Sequence, residues 1–285
     1  ADTTVKIGGI AGINKGKIEN SSSSTNINSN QQKGGIIALN EKNGEIINCA
    51  NNGEIIENTS TIYYTAGICA ENILGKITSC NNNGKIQGKL AGGIAGNTTG
   101  NITSCQNTAE VSNLDEKSNN DEISAGIVAM VQSAIIENCK NTGKIYGLTD
   151  IAGIAGKNNG NIVQATNEGE ILKQEEVIAS KVYIGGITGT NLEQGKISTS
   201  KNNGAVRSSS DNLVILGGIC GLLYNNSIVE NCENNGNLYG QAKIVTPNED
   251  LSEKCSNCVN NAGGQIDTVE NGELQIGLIY GNIKE

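Results

Sequence analysis

Cys255 and Cys258 have the most suggestive chemical spacing in the chain, because a Cys-x-x-Cys pair can act as a redox couple or as half of a zinc site. A redox couple of this kind needs a strand-to-helix context, and a zinc site needs a second pair of ligands. The sequence contains no His, and its other cysteines follow a long repeat instead of forming a second pair. We therefore predict buried thiols or a local disulfide here, and no metal.

The number of cysteines, nine, is odd, so at least one is unpaired or pairs with another chain. Many of them occupy one position of a repeated phrase, which would stack them about 4.8 Å apart in a parallel sheet. That distance permits a disulfide, but in-register side chains of parallel strands point the same way, so we predict reduced thiols packed as small apolar groups. Alkylation and mass spectrometry with and without reduction test this. The stacked residues are Cys49, Cys80, Cys105, Cys139, Cys232 and Cys258.

Few residues in the chain are suited to catalysis. A lyase built on a β-helix needs a basic group beside a uronate and acidic residues that hold Ca²⁺. The sequence has one Arg, Arg207, and lysines that are scattered singly. We predict a protein that is not an enzyme and uses no cofactor, and we rank a polysaccharide lyase below structural and adhesive roles.

Composition and charge narrow the class of protein further. The net charge of −9 argues against binding nucleic acid or an anionic membrane. No apolar run reaches the roughly 18 residues of a membrane span, and no signal peptide precedes Ala1, as expected of a mature or truncated chain. With no Phe and no Trp, the core must consist of Ile, Val, Leu, Ala and Cys.

Two short phrases alternate along the chain, GGIxG and GxIxNCxNxG, each with variations. The second glycine of the first phrase recurs at intervals of 26, 32, 26, 33, 27, 33 and 32 residues, and the phrase returns as IGLIYG after 59 residues, about two units. A period of this length marks a solenoid. The anchor glycines are Gly9, Gly35, Gly67, Gly93, Gly126, Gly153, Gly186 and Gly218, followed by Gly277.

The local chemistry of each unit favours strands over helices. Three short apolar runs rich in Ile and Val are separated by Gly or Asn, whereas helical repeats need longer stretches of Ala, Leu and Glu. We predict an all-β parallel β-helix, or β-solenoid, of about nine rungs with 26–33 residues per rung. Residues 1–285 form a single domain, within which residues 239–285 are degenerate rungs that include Pro247, with Cys255 in an Ile position and Cys258 in the small position.

Within the second phrase, Ile46 represents a position that is always Ile or Val, which we predict to face the core. Ile47 represents a mixed position that faces solvent. Cys49 represents a position that is always small, yet simple alternation would turn it outward. We therefore predict that the strand bends at Asn48 and returns Cys49 to the interior.

Two residues after Cys49, the phrase places Asn51 at a corner, where an Asn tolerates left-handed backbone geometry. Identical amides stacked at the strand spacing can hydrogen-bond along the solenoid axis, so we predict an Asn ladder. Gly53, two residues further, is predicted to supply a positive φ. The ladder residues are Asn51, Asn82, Asn107, Asn141, Asn167, Asn202 and Asn234.

This alternation of phrases resembles the GLUG-type repeats of bacterial surface proteins, including stalk regions of immunoglobulin A-cleaving metalloproteases. The resemblance covers most of the chain, from Gly8 to Gly236, with partial copies to Asn282. It implies an extracellular β-solenoid at the cell surface. In such proteins the chemistry belongs to a separate zinc domain with an HExxH helix, for which this chain has no His.

We predict that the ends of the solenoid determine its function, because an unpaired sheet edge recruits another strand. The chain enters with KIGGIAG and ends with LQIGLIYGN, so neither end looks capped. This predicts a non-enzymatic extracellular subunit of a surface filament or stalk, in which copies stack head to tail as a homopolymer.

The alternative is a cell-surface adhesin or carbohydrate-binding module that uses loops on one face to bind host or surface glycans or proteins. The long connections all precede a GGI phrase, and two of them carry Tyr63, Tyr64 and Tyr183 as candidate partner-binding residues. Tolerated surface insertions are the simpler interpretation of these loops. The long connections are Ile56–Ala66, Ser112–Ser124, Leu172–Ile184 and Arg207–Leu216.

Overall fold

The computed structural model describes residues 5–57, 62–113, 122–173, 181–209, 213–224, 226–247, 255–277 and 280–284. The regular structure in these ranges is entirely β-strand, and five short strands make one turn of the chain, which we call a rung. The all-β prediction is therefore confirmed.

The first three rungs contain β1 (Lys6–Gly8), β2 (Ala11–Asn14), β3 (Lys17–Glu19), β4 (Ser22–Ser23), β5 (Ile27–Ser29), β6 (Gln32–Gly34), β7 (Ile37–Asn40), β8 (Glu45–Ile47), β9 (Ala50–Asn51), β10 (Ile55–Glu57), β11 (Tyr64–Ala66), β12 (Cys69–Asn72), β13 (Lys76–Thr78), β14 (Asn81–Asn82) and β15 (Ile86–Gln87). The next three contain β16 (Leu90–Gly92), β17 (Ala95–Thr98), β18 (Ile102–Thr103), β19 (Gln106–Asn107), β20 (Val111–Ser112), β21 (Ile123–Ala125), β22 (Val128–Val131), β23 (Ile135–Glu137), β24 (Lys140–Asn141), β25 (Ile145–Gly147), β26 (Asp150–Ala152), β27 (Ala155–Asn158), β28 (Asn161–Val163), β29 (Thr166–Asn167) and β30 (Ile171–Lys173). The remaining strands are β31 (Lys181–Gly185), β32 (Thr188–Asn191), β33 (Lys196–Ser198), β34 (Lys201–Asn202), β35 (Val206–Ser209), β36 (Leu213–Gly217), β37 (Cys220–Tyr224), β38 (Ile228–Glu230), β39 (Glu233–Asn234), β40 (Leu238–Pro247), β41 (Cys255–Ser256), β42 (Val259–Asn260), β43 (Gly264–Gly277) and β44 (Tyr280–Lys284).

Corresponding strands of successive rungs pair in parallel and in register, so that Ile77 pairs with Ile46 on one side and with Ile102 on the other. We number the five stacks columns 1 to 5, after the position of their strands in a rung. Among the residues that the structure describes, columns 2, 3 and 4 each contain nine strands. The predicted parallel β-solenoid is confirmed, because a period of about 30 residues returns each apolar position to the same place in the next rung.

Within the described residues, two long apolar cores run along the solenoid, and a small third cluster contains Leu90, Ile123 and Ala129. The larger contains the Ile of the GGI phrases from Ile36 onwards, the Ile or Val column represented by Ile46, and the Cys column. The smaller contains apolar residues of column 1, such as Ile184 and Val214, together with those of column 5, such as Ile171 and Val206. Branched aliphatic side chains stacked on identical neighbours fill both cores without Phe or Trp.

The predicted bend is confirmed by the backbone. The residue before each small position, represented by Asn48, has a φ between 51° and 56° in every copy of the second phrase. Among the described residues, Asn51 and its equivalents do not have a positive φ. The left-handed residue lies three positions before the ladder Asn, so the prediction of left-handed geometry at the Asn itself was wrong. The bent residues are Asn20, Asn48, Ser79, Ser104, Asn138, Gln164, Thr199, Asn231 and Asn257.

The predicted positive φ at Gly53 was also wrong. The glycine at this position is required by a close approach of neighbouring backbones: a Cβ on Gly84 would overlap the carbonyl oxygen of Gly53, and a Cβ on Gly204 would overlap that of Gly169. The chain turns tightly here, and each rung lies directly on the one before it.

The ninth rung is assembled out of chain order. After Leu238–Gln241 pair with β35, residues 244–247 of β40 do not pair with β36. Residues 273–277 of β43 take that place, and residues 244–247 pair with them on the outer side. Gly277 therefore lies beside Gly217, a single rung away instead of the two units that the 59-residue interval predicted.

The two ends of the solenoid differ. Among the described residues, no strand pairs with the outer side of the first rung. At the other end, residues 244–247 cover column 1, and Pro247 lies in this outermost strand, where a missing amide hydrogen is tolerated. The expectation that neither end is capped is therefore wrong for column 1 at the C-terminal end.

Candidate functional site

The Asn ladder predicted at column 4 is present and continuous. Each Asn Nδ2 donates to the Oδ1 of the next rung's Asn, from Asn51 to Asn260, at 2.8–2.9 Å. Asn51 through Asn234 are fully buried, so these bonds are not exchanged with water. The ladder gives the solenoid a polar spine with one direction, because every donor points towards the C-terminal end.

Each ladder amide also holds its own corner. Asn51 Nδ2 donates a second hydrogen bond to the Gly53 carbonyl at 2.8 Å, and Gly53 N–H donates back to Asn51 Oδ1 at 3.2 Å. Ser23 occupies the ladder position in the first rung. A buried amide with all of its bonds satisfied fixes both the turn and the stacking distance.

A second Asn ladder, which the sequence analysis missed, lies at the end of column 2. Asn14 donates to Asn40 and Asn40 to Asn72 at 2.8 Å, and Asn72 donates to Thr98 Oγ1 at 3.1 Å. Val131 occupies the next rung and interrupts it. The ladder resumes in one further bond, from Asn158 Nδ2 to Asn191 Oδ1 at 2.8 Å. The available signal was an Asn six residues after the first small residue of five GGI phrases.

The Cys column lies in the larger core. Cys49, Cys80, Cys105, Cys139 and Cys232 are each at most 1% exposed and free. Each thiol donates to the carbonyl two residues earlier, as Cys80 does to Thr78 at 3.3 Å. Cys69 and Cys220, also buried and free, lie in column 2.

Burial raises the pKa of Cys69 and Cys105, and it raises that of Cys232 to about 11 and that of Cys220 to about 12. The pKa of Cys80 is lowered, because the thiols of Cys105 and Cys49 can both donate to its thiolate. Cys258 is half-buried and disulfide-bonded, so the prediction of a reduced, packed thiol was wrong for this member of the column, whereas the alternative of a disulfide at this Cys-x-x-Cys pair agrees with the structure. The free cysteines with described side chains are buried among the apolar residues of the larger core, so a reagent in solution has little access to their sulfur atoms.

A buried charged cluster lies where column 5 leads into column 1, and the sequence analysis missed it. Lys33 and Glu57 are fully buried, Lys89 is 6% exposed and Glu122 is 1% exposed. Lys33 Nζ donates to Thr65 Oγ1 at 3.2 Å, while Glu57 Oε2 accepts from the Lys89 backbone N–H at 2.9 Å. The signal was a Lys immediately before a GGI phrase, at a position where the register elsewhere places apolar residues such as Ile7 and Ile151 or small hydroxyl residues such as Thr65.

The electrostatics of this cluster are dominated by burial. Burial lowers the pKa of Lys33 to about 8, although the Glu57 carboxylate opposes that change. Burial also raises the pKa of Glu57, against the effect of Lys33. Glu57 Oε1 has no hydrogen-bond partner among the described residues. Lys33 and Glu57 therefore have opposite effects on each other's pKa: each favours the charged form of the other, whereas burial favours the neutral form of both.

A second polar group lies one rung beyond Glu122, around Asp150, which is 3% exposed. Thr190 Oγ1 donates to Asp150 Oδ1 at 2.5 Å, and Lys157 Nζ lies 3.4 Å from Asp150 Oδ2. Here again a buried carboxylate is held by a hydroxyl and an ammonium group. Neither polar group contains the paired acid and base around an open cleft that a lyase requires.

The tyrosines considered for partner binding are half-buried. Tyr64 begins β11, its hydroxyl contacts Met130 Sδ at 3.9 Å, and burial raises its pKa. Tyr183 lies within β31, paired in register between Asp150 and Ile215. Tyr63 immediately precedes β11. Parts of all four long connections lie outside the described residues, so the proposed groove is not defined by these three side chains.

Within the described ranges, no group of three or more Cys, Asp or Glu side chains is arranged to hold a metal ion. No helix long and apolar enough to cross a membrane occurs there either. No protein-family model, curated protein or solved structure matches this chain.

Proposed function

We propose that this chain is a non-enzymatic structural protein, a subunit of an extracellular filament or stalk whose copies stack end to end. The observation that carries the proposal is the open first rung. Ile10 occupies the same core column as Ile36 and Ile68, which are fully buried, yet Ile10 is 42% exposed because no strand of the described ranges covers the first rung. A sheet edge with apolar side chains and unpaired backbone N–H and C=O groups can pair with the strands of a further parallel rung.

The direction of the Asn ladder supports a head-to-tail arrangement. Asn260 ends the ladder, and its Nδ2 already donates to the Ala262 carbonyl at 3.1 Å, as the equivalent amides do. Its other N–H points in the direction in which the ladder runs. Ser23 of a docked copy would present a hydroxyl there, as Thr98 Oγ1 does for Asn72.

The C-terminal end limits how such copies could meet. A docked first rung could continue columns 2, 3 and 4 on β44, β41 and β42. In column 1, however, residues 244–247 already lie where β1 of the docked copy would pair. Stacking in this form therefore requires that one of these two short strands gives way.

Negative-stain microscopy of the purified chain tests the proposal. We expect unbranched filaments, and we expect Ile10→Lys to abolish them because the substitution places a charge in the contact. Ile135→Lys is the matched control, since Ile135 is 39% exposed in β23, which is paired on both sides. Monomers alone at high protein concentration, or filaments that Ile10→Lys leaves unchanged, would overturn the proposal.

The extracellular location and the GLUG-type family remain predictions from the repeat phrases. The adhesin alternative has less support, because the Tyr64 hydroxyl already contacts Met130 Sδ and Tyr183 is part of β31 instead of an exposed loop. A glycan array would favour the adhesin if it detected binding that Tyr63→Ala abolished.

A further inference from the structure

Two segments of this chain compete for one place in the fold. Residues 244–247 follow column 5 directly and would be the next to pair with β36 in an uninterrupted solenoid. Residues 273–277, about 30 positions further along the chain, pair with β36 instead. The segment that is nearer in sequence is left as the outermost strand of column 1.

Residues 273–277 fit the edge of β36 better than residues 244–247 do. Gly217 pairs with Gly277, and Cys220 pairs with Tyr280, which restores the GGI-phrase register in columns 1 and 2. At the equivalent Gly92 and Gly185, a Cβ would overlap the carbonyl oxygens of Ala95 and Thr188. The segment IVTP at residues 244–247 has no glycine for this column.

We propose that residues 273–284 are exchanged between two copies of this chain, each inserting the segment beside β36 and β37 of the other. The segment that pairs with β36 must match its register, and a second copy of the chain supplies an identical segment that does so. Every backbone hydrogen bond formed within one chain can be formed between two, which makes such an exchange inexpensive.

The out-of-order rung favours exchange in a further way. When residues 273–277 leave, residues 244–247 can cover the edge of β36 during the exchange, and they return to the outer side once residues 273–277 of the other copy pair with β36. Columns 3, 4 and 5 keep β41, β42 and residues 264–268 in either state. The change is therefore confined to one short segment and its cover strand.

This interface differs from the stacked ends of the proposed function, and the two can fail separately. Exchange needs residues 273–284 but not Ile10. Loss of filaments in Ile10→Lys with exchange retained would separate the two interfaces, and so would filaments without exchange.

Cross-linking of the full-length chain tests the exchange. One tagged copy carries Leu213→Cys and a differently tagged copy carries Glu273→Cys, since these two positions pair in register. The copies are unfolded, mixed, refolded and treated with a short bis-reactive thiol cross-linker. The free native cysteines with described side chains are buried, so they are protected in the refolded chain.

We expect a cross-linked heterodimer in this mixture. It should be absent when Lys15→Cys, at an exposed position of the first rung, replaces Leu213→Cys. It should also be lost when Gly277→Val is added to the Glu273→Cys copy. A chain with both Leu213→Cys and Glu273→Cys should cross-link within itself and serves as the control for register.

Refolded copies that give the internal cross-link but no heterodimer would overturn the proposal, and so would a heterodimer that Gly277→Val leaves intact. If either variant fails to refold, as judged by circular dichroism, Ile215→Cys and Gln275→Cys provide a second register pair for the same experiment.

Discussion

Asn82 Nδ2 donates to Asn107 Oδ1 at 2.8 Å, and Asn107 Nδ2 in turn donates to Asn141 Oδ1 at 2.8 Å. All three side chains are fully buried. Removing the Asn107 side chain would leave Asn82 Nδ2 without its acceptor and Asn141 Oδ1 without its donor, in a place that water does not reach. The ladder is therefore a cooperative element of stability, and loss of one member affects three rungs.

We expect Asn107→Ala to lower the free energy of unfolding by about 2–4 kcal/mol, because it orphans buried groups of Asn82 and Asn141. Urea unfolding followed by circular dichroism measures the change. Asn83→Ala is the matched control, since Asn83 makes an equivalent amide contact with Asn52 at 2.9 Å on the exposed surface and should cost well under 1 kcal/mol. Equal costs at the two positions would contradict a special role for the buried ladder.

Lys33 should make stability depend on pH in the alkaline range. Its pKa falls from 10.5 to about 8 on folding, so between these values the unfolded chain binds more protons than the folded chain. Stability should therefore rise as the pH increases from about 8 to 10.5, by up to about 3 kcal/mol. Below pH 8 the penalty for charging this buried amine is fully present and constant.

We expect Lys33→Met to remove this rise, measured as the difference between variant and unaltered chain in urea midpoints at pH 7, 8.5 and 10. Glu57→Gln removes the carboxylate that favours charged Lys33, so the pKa of Lys33 should fall further and the rise should begin at lower pH. Lys15→Met, at an exposed side chain, should leave the profile unchanged. A profile that is the same in Lys33→Met and the unaltered chain would refute the assignment.

The periodic part of the fold could be predicted from the sequence, because the same type of residue recurs at each equivalent position of the repeat. Ile46, Cys49 and Asn51 recur with constant spacing, and their environments follow from stacking like on like. Lys33 and Glu57 could not be found in this way, since each occurs once in a column that is otherwise apolar or mixed. Their pairing depends on which rungs are neighbours, and not on the repeat itself.

The order of the ninth rung was also beyond the sequence pattern. The repeat phrase at Gly277 is visible in the sequence, but its interval from the previous phrase suggested two turns. That residues 273–277 displace residues 244–247 beside β36 follows from a competition between distant segments. The missed ladder through Asn40 and Asn72 had a periodic signal, but it was interrupted by Val131 and so was less regular.

Thr199 carries avoidable backbone strain. Its φ is 51°, a left-handed conformation that disfavours a β-branched residue, and Asn138 adopts the equivalent conformation with φ 56°. Both side chains are exposed, so exchange of residue type changes mainly the backbone term. We expect Thr199→Asn to stabilise the chain and Asn138→Thr to destabilise it, each by about 1 kcal/mol. Differential scanning calorimetry should show melting temperatures that move in opposite directions, and shifts of the same sign would rule out this explanation.

Gly84 tests whether close stacking, and not backbone conformation, requires glycine at the corner after the Asn ladder. A Cβ at this position would overlap the Gly53 carbonyl oxygen and lie 2.9 Å from Asn51 Nδ2, both of which belong to the neighbouring rung. Because neither group can move without lengthening ladder bonds, we expect Gly84→Ala to cost about 2–3 kcal/mol. Gly16→Ala is the control, since a Cβ there meets nothing within 4 Å and its effect should stay within about 1 kcal/mol. Urea unfolding of the two variants distinguishes the causes: a general loss of chain flexibility would affect both alike, whereas overlap between rungs affects Gly84 alone.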